Sequence, residues 1–258
     1  MFRLRLLGLS TLSLGLMLVG CGGGEKAAEK PAEAPAAAPA APAAADDPAT
    51  AGEITGKISF EGAKPKMAAI RMDAVPACGK EPTFVEEVVV NDNGTLRNVY
   101  VYVKEGLGDK SFPVPAEPAT IDQKGCTYHP HVIAAMVGQK IKIKNSDPTN
   151  HNVHPLPTQN REWNQSQPPN AADLEESFPR PEVAIPVKCN VHPWMKAYIA
   201  VQKHPFHAVS GPDGSFSIKG LPPGDYTIEA WHEKFPAQTL KVTVGPKETK
   251  TADFSFKD

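Results

Sequence analysis

The sequence predicts an all-β protein: two β-sandwiches, one smaller than the other, behind a disordered tether. Three observations predict it. Glycine (20) and proline (27) are plentiful while aromatic residues make up only 7%, a balance that suits a chain with many turns better than a helical bundle. Short alternating or β-branched runs recur from Gly52 onward, at Ile54–Phe60, Val85–Val90, Leu96–Val103, Lys140–Lys144, Ala197–Val201, Ser215–Ile218, Tyr226–Trp231 and Leu240–Val244, each short enough for a strand and too short for a helix. Turn signals separate them: Asn91-Asp92-Asn93-Gly94, Gly211-Pro212-Asp213-Gly214 and Pro222-Pro223-Gly224-Asp225, where Gly, Asn and Asp tolerate the backbone angles that tight turns need. The one stretch with helix-compatible spacing, Ala171–Phe178, is the length of a single turn or a loop. Residues 52–258 exceed one typical domain, so two sandwiches are expected.

At the N-terminus, Arg3 and Arg5 precede an apolar run from Leu6 to Val19. That is the pattern of an export leader, and too short for a stable membrane span. Leu18-Val19-Gly20-Cys21 resembles the lipobox of bacterial lipoproteins, which implies a leader over 1–20 and acylation of Cys21. Gly22 follows the Cys where an inner-membrane retention signal would have Asp, so the resemblance implies the outer membrane, facing the periplasm or the cell surface. Residues 21–51 form the tether. They are Ala/Pro-rich and carry no large apolar side chain, so they cannot bury enough surface to offset their ordering entropy. Lys and Arg number 27 against 29 Asp and Glu; with no polybasic surface implied, nucleic acid is not an expected partner.

The C-terminal run Asp213-Gly214-Ser215-Phe216, followed by Leu221-Pro222-Pro223-Gly224-Asp225-Tyr226-Thr227-Ile228, resembles carboxypeptidase regulatory-like (transthyretin-like) domains. Those residues are too few for that sandwich. Ile54–Gly62 resembles the family's opening strand and Asn98–Val103 a later one. The expectation is a discontinuous regulatory-like sandwich, 52–108 and 205–258, interrupted by a second sandwich over 109–204. Two domains in tandem is the alternative. The resemblance implies no peptidase, since that enzyme family's catalytic motifs are not evident, and no enzymatic role is expected.

Two segments bring metal-binding side chains together: Asn145-Ser146-Asp147-Pro148-Thr149-Asn150-His151-Asn152-Val153-His154, and Val187-Lys188-Cys189-Asn190-Val191-His192-Pro193-Trp194-Met195-Lys196. A thiolate, two imidazoles and a thioether are the donors that select copper, in a His₂Cys set with a weak axial Met. Zinc is the competing metal, although its structural sites use paired Cys or Cys/His motifs at other spacings. C-x-x-H-x-x-M places Cys189, His192 and Met195 on one tight loop. The fourth ligand, His151 or His154, must come from elsewhere.

Val137–Asn145, His151-Asn152-Val153-His154 and Cys189-Asn190-Val191-His192-Pro193-Trp194-Met195 together resemble the cupredoxins, and among them the short ligand loop of the amicyanin type. The resemblance implies a Greek-key β-sandwich with one type 1 copper held by His151, Cys189, His192 and Met195, and Asn152 tying the two ligand loops together. It further implies a single-electron carrier, with c-type cytochromes or a periplasmic or membrane oxidoreductase as redox partners docking near His192. The family's exposed ligand His usually lies in an apolar contact patch, where Trp194 would belong unless it is core. Copper delivery or sequestration, or a structural lipoprotein role, are the alternatives. One departure stands out. Amicyanin-type loops usually place Pro just before the second His, where this chain has Val191; unlike Pro, Val191 has an N–H to donate to the Cys189 sulfur.

Of the remaining cysteines, Cys78 and Cys126 are left to pair as a disulfide in an oxidising compartment. Cys126 with His129 and His131 could instead join a second metal site with His204 or His207. His232 is expected to be a strand-end residue without a chemical role.

Overall fold

A computed structural model describes residues 48–79 and 81–258. The expected leader, Cys21, and the tether up to residue 47 lie outside the described residues. Every element is a strand: β1 (Gly52–Glu61), β2 (Tyr100–Glu105), β3 (Ala119–Lys124), β4 (Thr127–His129), β5 (Val132–Met136), β6 (Ile141–Asn145), β7 (His151–Pro155), β8 (Gln165–Gln167), β9 (Leu174–Glu176), β10 (Glu182–Lys188), β11 (Lys196–Gln202), β12 (His207–Val209), β13 (Ser215–Leu221), β14 (Gly224–Trp231), β15 (Gln238–Val244), β16 (Thr249–Thr251) and β17 (Phe254–Lys257). The described residues are all-β.

The strands form four sheets. One has the order β13-β1-β16 with β17 also on β1, and a second the order β12-β2-β14-β15. Between these two lies a core of Ile54, Ile58, Leu96, Val101, Val103, Ile218, Ile228, Phe254 and Phe256, among others. The other pair, β5-β11-β10-β7-β8 and β4-β3-β6-β9, encloses Ile121, Ile133, Ile141, Ile143, Val153, Ile185, Val187 and Ile199. β1 pairs with β13, β16 and β17, so chain on both sides of the 119–202 stretch builds one sandwich.

Strand alternation explains how the two sandwiches meet. Val101 and Val103 of β2 face their own core, as do Ile133 and Ala135 of β5 and Ala197, Ile199 and Val201 of β11. The alternate residues Tyr100, Tyr102, Val132 and Ala200 form a third buried cluster, against which Ala134, Tyr198, Val209 and Trp231 pack. Successive side chains of a strand point to opposite faces, so strands with both sets apolar are covered on both sides. Across the same seam, His131 Nε2 meets Glu233 Oε1 at 2.5 Å, and Tyr198 donates to the other Glu233 oxygen at 3.1 Å.

Three sequence expectations need correction. Val85–Val90 is not a ladder strand: Phe84 and Val90 make only isolated bridges, to Ala69 and Leu96. Its backbone turns to its own neighbours instead, Val85 N–H donating to Ala68 O at 2.9 Å. The segment then forms a strap. Met72 and Cys78 are buried in the second core, with Ile70 and Val75 against it, although residues 52–108 were expected with the regulatory-like sandwich. The helix-compatible stretch at 171–178 contains β9, a three-residue strand antiparallel to β6.

Candidate metal centre

β7 lies between β10 and β8, and its register with β10 sets Lys188 opposite His154. His151, at the start of β7, is thereby brought beside the residues that follow β10. β10 and β11 pair through Lys188 and Lys196, leaving 189–195 as the connecting loop. That loop is closed by Met195 N–H donating to His192 O at 3.0 Å and Cys189 N–H donating to Met195 O at 3.3 Å. Cys189, His151, His192 and Met195 are all essentially buried.

His151, Cys189 and His192 each offer a donor atom, all within 4.8 Å of one another. The two imidazoles face each other through Nδ1, 2.9 Å apart. The far nitrogen of His151, Nε2, lies 2.9 Å from Asp147 Oδ2. A carboxylate accepts, so the His151 proton sits on Nε2 and the Nδ1 lone pair is left for the cluster, the usual arrangement of a metal-ligating histidine. Asp147 also accepts the N–H of Gly125 at 2.7 Å and of Cys126 at 2.8 Å. Those two residues form the β3–β4 turn with both φ angles positive, 63° and 55°, as a two-residue hairpin requires.

Asn152 joins the segments. Its Oδ1 accepts the Asn190 N–H at 2.7 Å and the Cys189 thiol at 3.3 Å, and its Nδ2 donates to Asn164 at 2.6 Å. Tyr128 donates its hydroxyl to the Asn152 carbonyl. Burial alone would raise the Cys189 thiol, but the neighbouring His151 imidazole and the backbone at Asn152, His192 and Val191 outweigh it and hold the thiol below its ordinary range. The His192 N–H lies 3.4 Å from the sulfur, and Val191 itself is exposed. Burial, then the neighbouring His151, pushes His192 down. Burial, then Cys189, pushes the Tyr128 hydroxyl up. These surroundings favour a thiolate at Cys189 and a neutral imidazole at His192, the forms that bind a metal.

The outer side of His192 is covered. Its Nε2 lies 3.7 Å from Cys78 Sγ, and Cys78 is disulfide-bonded to Cys126, with Cα atoms 5.4 Å apart. Trp194 packs its ring against His192 at 5.2 Å and donates Nε1–H to Cys126 O at 3.0 Å, half-buried against the core. His192 is therefore only 2% exposed, where the resemblance implied an open imidazole.

Other residues singled out from the sequence lie elsewhere. His154 contacts Asn190 Oδ1 at 3.1 Å and Glu162 at 2.6 Å, outside the donor cluster. His129 contacts Thr127, His131 the Glu233 carboxylate, and His204 stacks on Phe206. Cys126 groups instead with Cys78 and His192, and with Asp147 and His151. Asp147 and the approach of Cys78 to His192 were not foreseen. A carboxylate four residues before a histidine carries no signal unless the turn between them is known, and the strap's path is not written in its spacing.

Fold and site define a two-sandwich all-β chain with a buried His₂Cys donor cluster. The family model for the carboxypeptidase regulatory-like domain matches residues 192–257. No curated protein matches the chain significantly. Among solved structures, part of the chain is similar to a copper-containing nitrite reductase from Thermus scotoductus SA-01, at 20% identity over 37% of this chain and 26% of that one, TM-score 0.31. It is similar to a purple cupredoxin from Nitrosopumilus maritimus at 19% identity over 33% of this chain and 99% of that one, TM-score 0.28. A further match is a Cu(I) amicyanin variant at 17% identity, over 40% and 98% respectively, TM-score 0.29.

Proposed function

We propose that this chain is an exported, lipid-tethered electron carrier that holds one type 1 copper ion through His151, Cys189, His192 and Met195. The observation that carries the reading is the convergence of His151 Nδ1 and His192 Nδ1, 2.9 Å apart, with the Cys189 sulfur in the same buried cluster. Copper supplies a reversible one-electron couple in such a donor set. The chain's own residues keep the donors still. Asp147 fixes the His151 tautomer, Asn152 links the two loops, and the N–H groups of Val191 and His192 stabilise negative charge on the sulfur. Ligands fixed on β7 and on a loop closed between β10 and β11 suit a carrier better than delivery, which needs adaptable, exposed donors.

The partners we propose are c-type cytochromes or a periplasmic or membrane oxidoreductase. With His192 covered, Val191, at 49% exposure on the same loop, is the apolar contact we assign to docking. Attachment is proposed through acylated Cys21 at the outer membrane, and the protein is proposed not to be an enzyme. The test is an optical spectrum of the copper-loaded protein. An intense visible thiolate-to-copper absorption that bleaches reversibly with reductant, and is lost in Cys189→Ser, is expected; a colourless protein that takes up only Cu(I) overturns the carrier reading in favour of delivery.

A further inference from the structure

His192 presents a different nitrogen to each of two clusters. Nδ1 faces His151. Nε2 faces the sulfurs of Cys78 and Cys126, the three atoms lying within 4.8 Å of one another, all in buried residues. While the disulfide is intact those sulfurs are bonded to each other and are poor ligands, because it is the thiolate that binds metal.

Both cysteines sit on backbone that is anchored independently of the S–S bond. Cys126 N–H is held by Asp147 at 2.8 Å and its carbonyl by Trp194 at 3.0 Å. Cys78 N–H donates to Val75 O and Val75 N–H to Met72 O, each at 2.8 Å, and Met72 is only 3% exposed within the same core. The strap is closed on itself by Ile70 N–H to Thr83 O and Val85 N–H to Ala68 O. Cutting the S–S bond thus leaves two thiols where the disulfide stood, with an imidazole nitrogen 3.7 Å from one of them. Two thiolates and one imidazole are a soft donor set of the kind that binds Cu(I).

We propose that reduction of Cys78–Cys126 opens a second metal site, in which Cys78, Cys126 and His192 Nε2 bind one Cu(I). The reductant is a dithiol, acting by thiol–disulfide exchange. Its thiolate attacks one sulfur, the S–S bond breaks, and the mixed disulfide is resolved by its second thiol; two electrons and two protons end on Cys78 and Cys126, and the dithiol becomes a disulfide. Cu(I) binding then releases both thiol protons without changing the oxidation state of the metal. When His192 Nδ1 is already engaged, the Nε2 proton leaves too and the ring bridges the sites. Of the two, Cys78 is the less deeply buried, 4% exposed against 0% for Cys126, and Gly79 beside it is exposed.

The experiment is anaerobic Cu(I) titration against a chromogenic Cu(I) chelator, using the full chain carrying Cys21→Ser, with the disulfide intact and after treatment with a phosphine that is then removed. One equivalent is expected for the oxidised protein and two after reduction. Cys189→Ser is expected to take up none when oxidised and one when reduced, so the second site is read whether or not the carrier reading holds. Cys78→Ala/Cys126→Ala is expected to show no gain on reduction. The proposal is overturned by an unchanged stoichiometry on reduction, by a gain that persists in that double variant, or by loss of the near-ultraviolet circular dichroism on reduction, because the sulfurs must stay held. X-ray absorption of reduced, Cu(I)-loaded Cys189→Ser is expected to show two sulfurs and one nitrogen; sulfur ligands alone overturn the part given to His192.

Discussion

Replacing Asp147 by Asn tests how the metal centre is held. The carboxylate accepts three N–H groups, from Gly125 and Cys126 of the β3–β4 turn and from His151 Nε2, at 2.7–2.9 Å. An amide of the same shape has only one accepting oxygen. Whichever way it turns, its NH₂ faces at least one backbone N–H, which loses its partner inside a mostly buried site. Losing a hydrogen bond to a charged acceptor costs about 1.5–3 kcal/mol, so the metal-free variant should unfold with that much less free energy. The hydrogen bond that fixes the orientation of the His151 ring is weakened as well, and loss of such a partner typically lowers metal affinity about 10–100-fold. Urea unfolding of the metal-free protein gives the first quantity, and copper competition against a chelator gives the second. A variant whose stability stays within about 0.5 kcal/mol, the ordinary range for an uninvolved surface change, and whose affinity is unchanged would refute the reasoning.

Other outcomes follow from the same geometry. Removing the Cys78–Cys126 cross-link by Ser substitution frees a sequence separation of 48, which on loop-entropy grounds costs about 4 kcal/mol; a midpoint shift in urea too small for even half of that would sink the estimate. His232 is 2% exposed against Phe235, and burial pushes its ring down to about 4 from 6.5. The unfolded chain therefore binds the extra proton first as pH falls through that window, so this residue alone should remove about 2 kcal/mol of stability between pH 7.5 and pH 5; His232→Gln should flatten that slope, and an unaltered slope rules the residue out as its source. Gly214 has φ +73° and a built Cβ would lie 2.2 Å from the Thr95 side chain, so Gly214→Ala should cost more than the 1–2 kcal/mol of a left-handed residue alone; calorimetry showing no fall in Tm would contradict this. Val191→Pro removes an N–H that stabilises charge on Cys189, so the reduction potential should drop, and voltammetry with an unchanged or higher value would overturn that role.

Seven of the described strands, β1, β2, β6, β11, β13, β14 and β15, were visible in the sequence because they carry alternating or continuous apolar residues, as at Ile54–Phe60 and Tyr226–Trp231, whereas β3, β5, β7, β10 and β17 were not singled out. Short pieces such as β8 and β9 escaped. Three residues carry no period, and their pairing is decided by β7 and β6 beside them. The ligand candidates were legible because the donors on the 189–195 loop sit at fixed spacing on one turn of chain. Their support was not. Asp147 acts through a turn at residues 125–126 that is remote from it in sequence, and Cys78 reaches His192 only because Met72, Ile70 and Val75 draw the strap into the other sandwich. Val85–Val90 misled because Val88 and Val90 pack on the first core without joining a ladder, Val90 making only an isolated bridge to Leu96.

β1 and β17 run parallel and pair from Ile58 with Phe254 to Glu61 with Lys257. A load applied between the chain's two ends therefore acts on this ladder in shear, with its hydrogen bonds sharing the force rather than parting one after another. The 119–202 stretch enters after β2 and leaves into β12, which pair side by side, so it hangs outside the direct line of tension. Held at one end and pulled from the other, the molecule would take the strain in β1 and β17 and leave the neighbourhood of His151 and Cys189 slack.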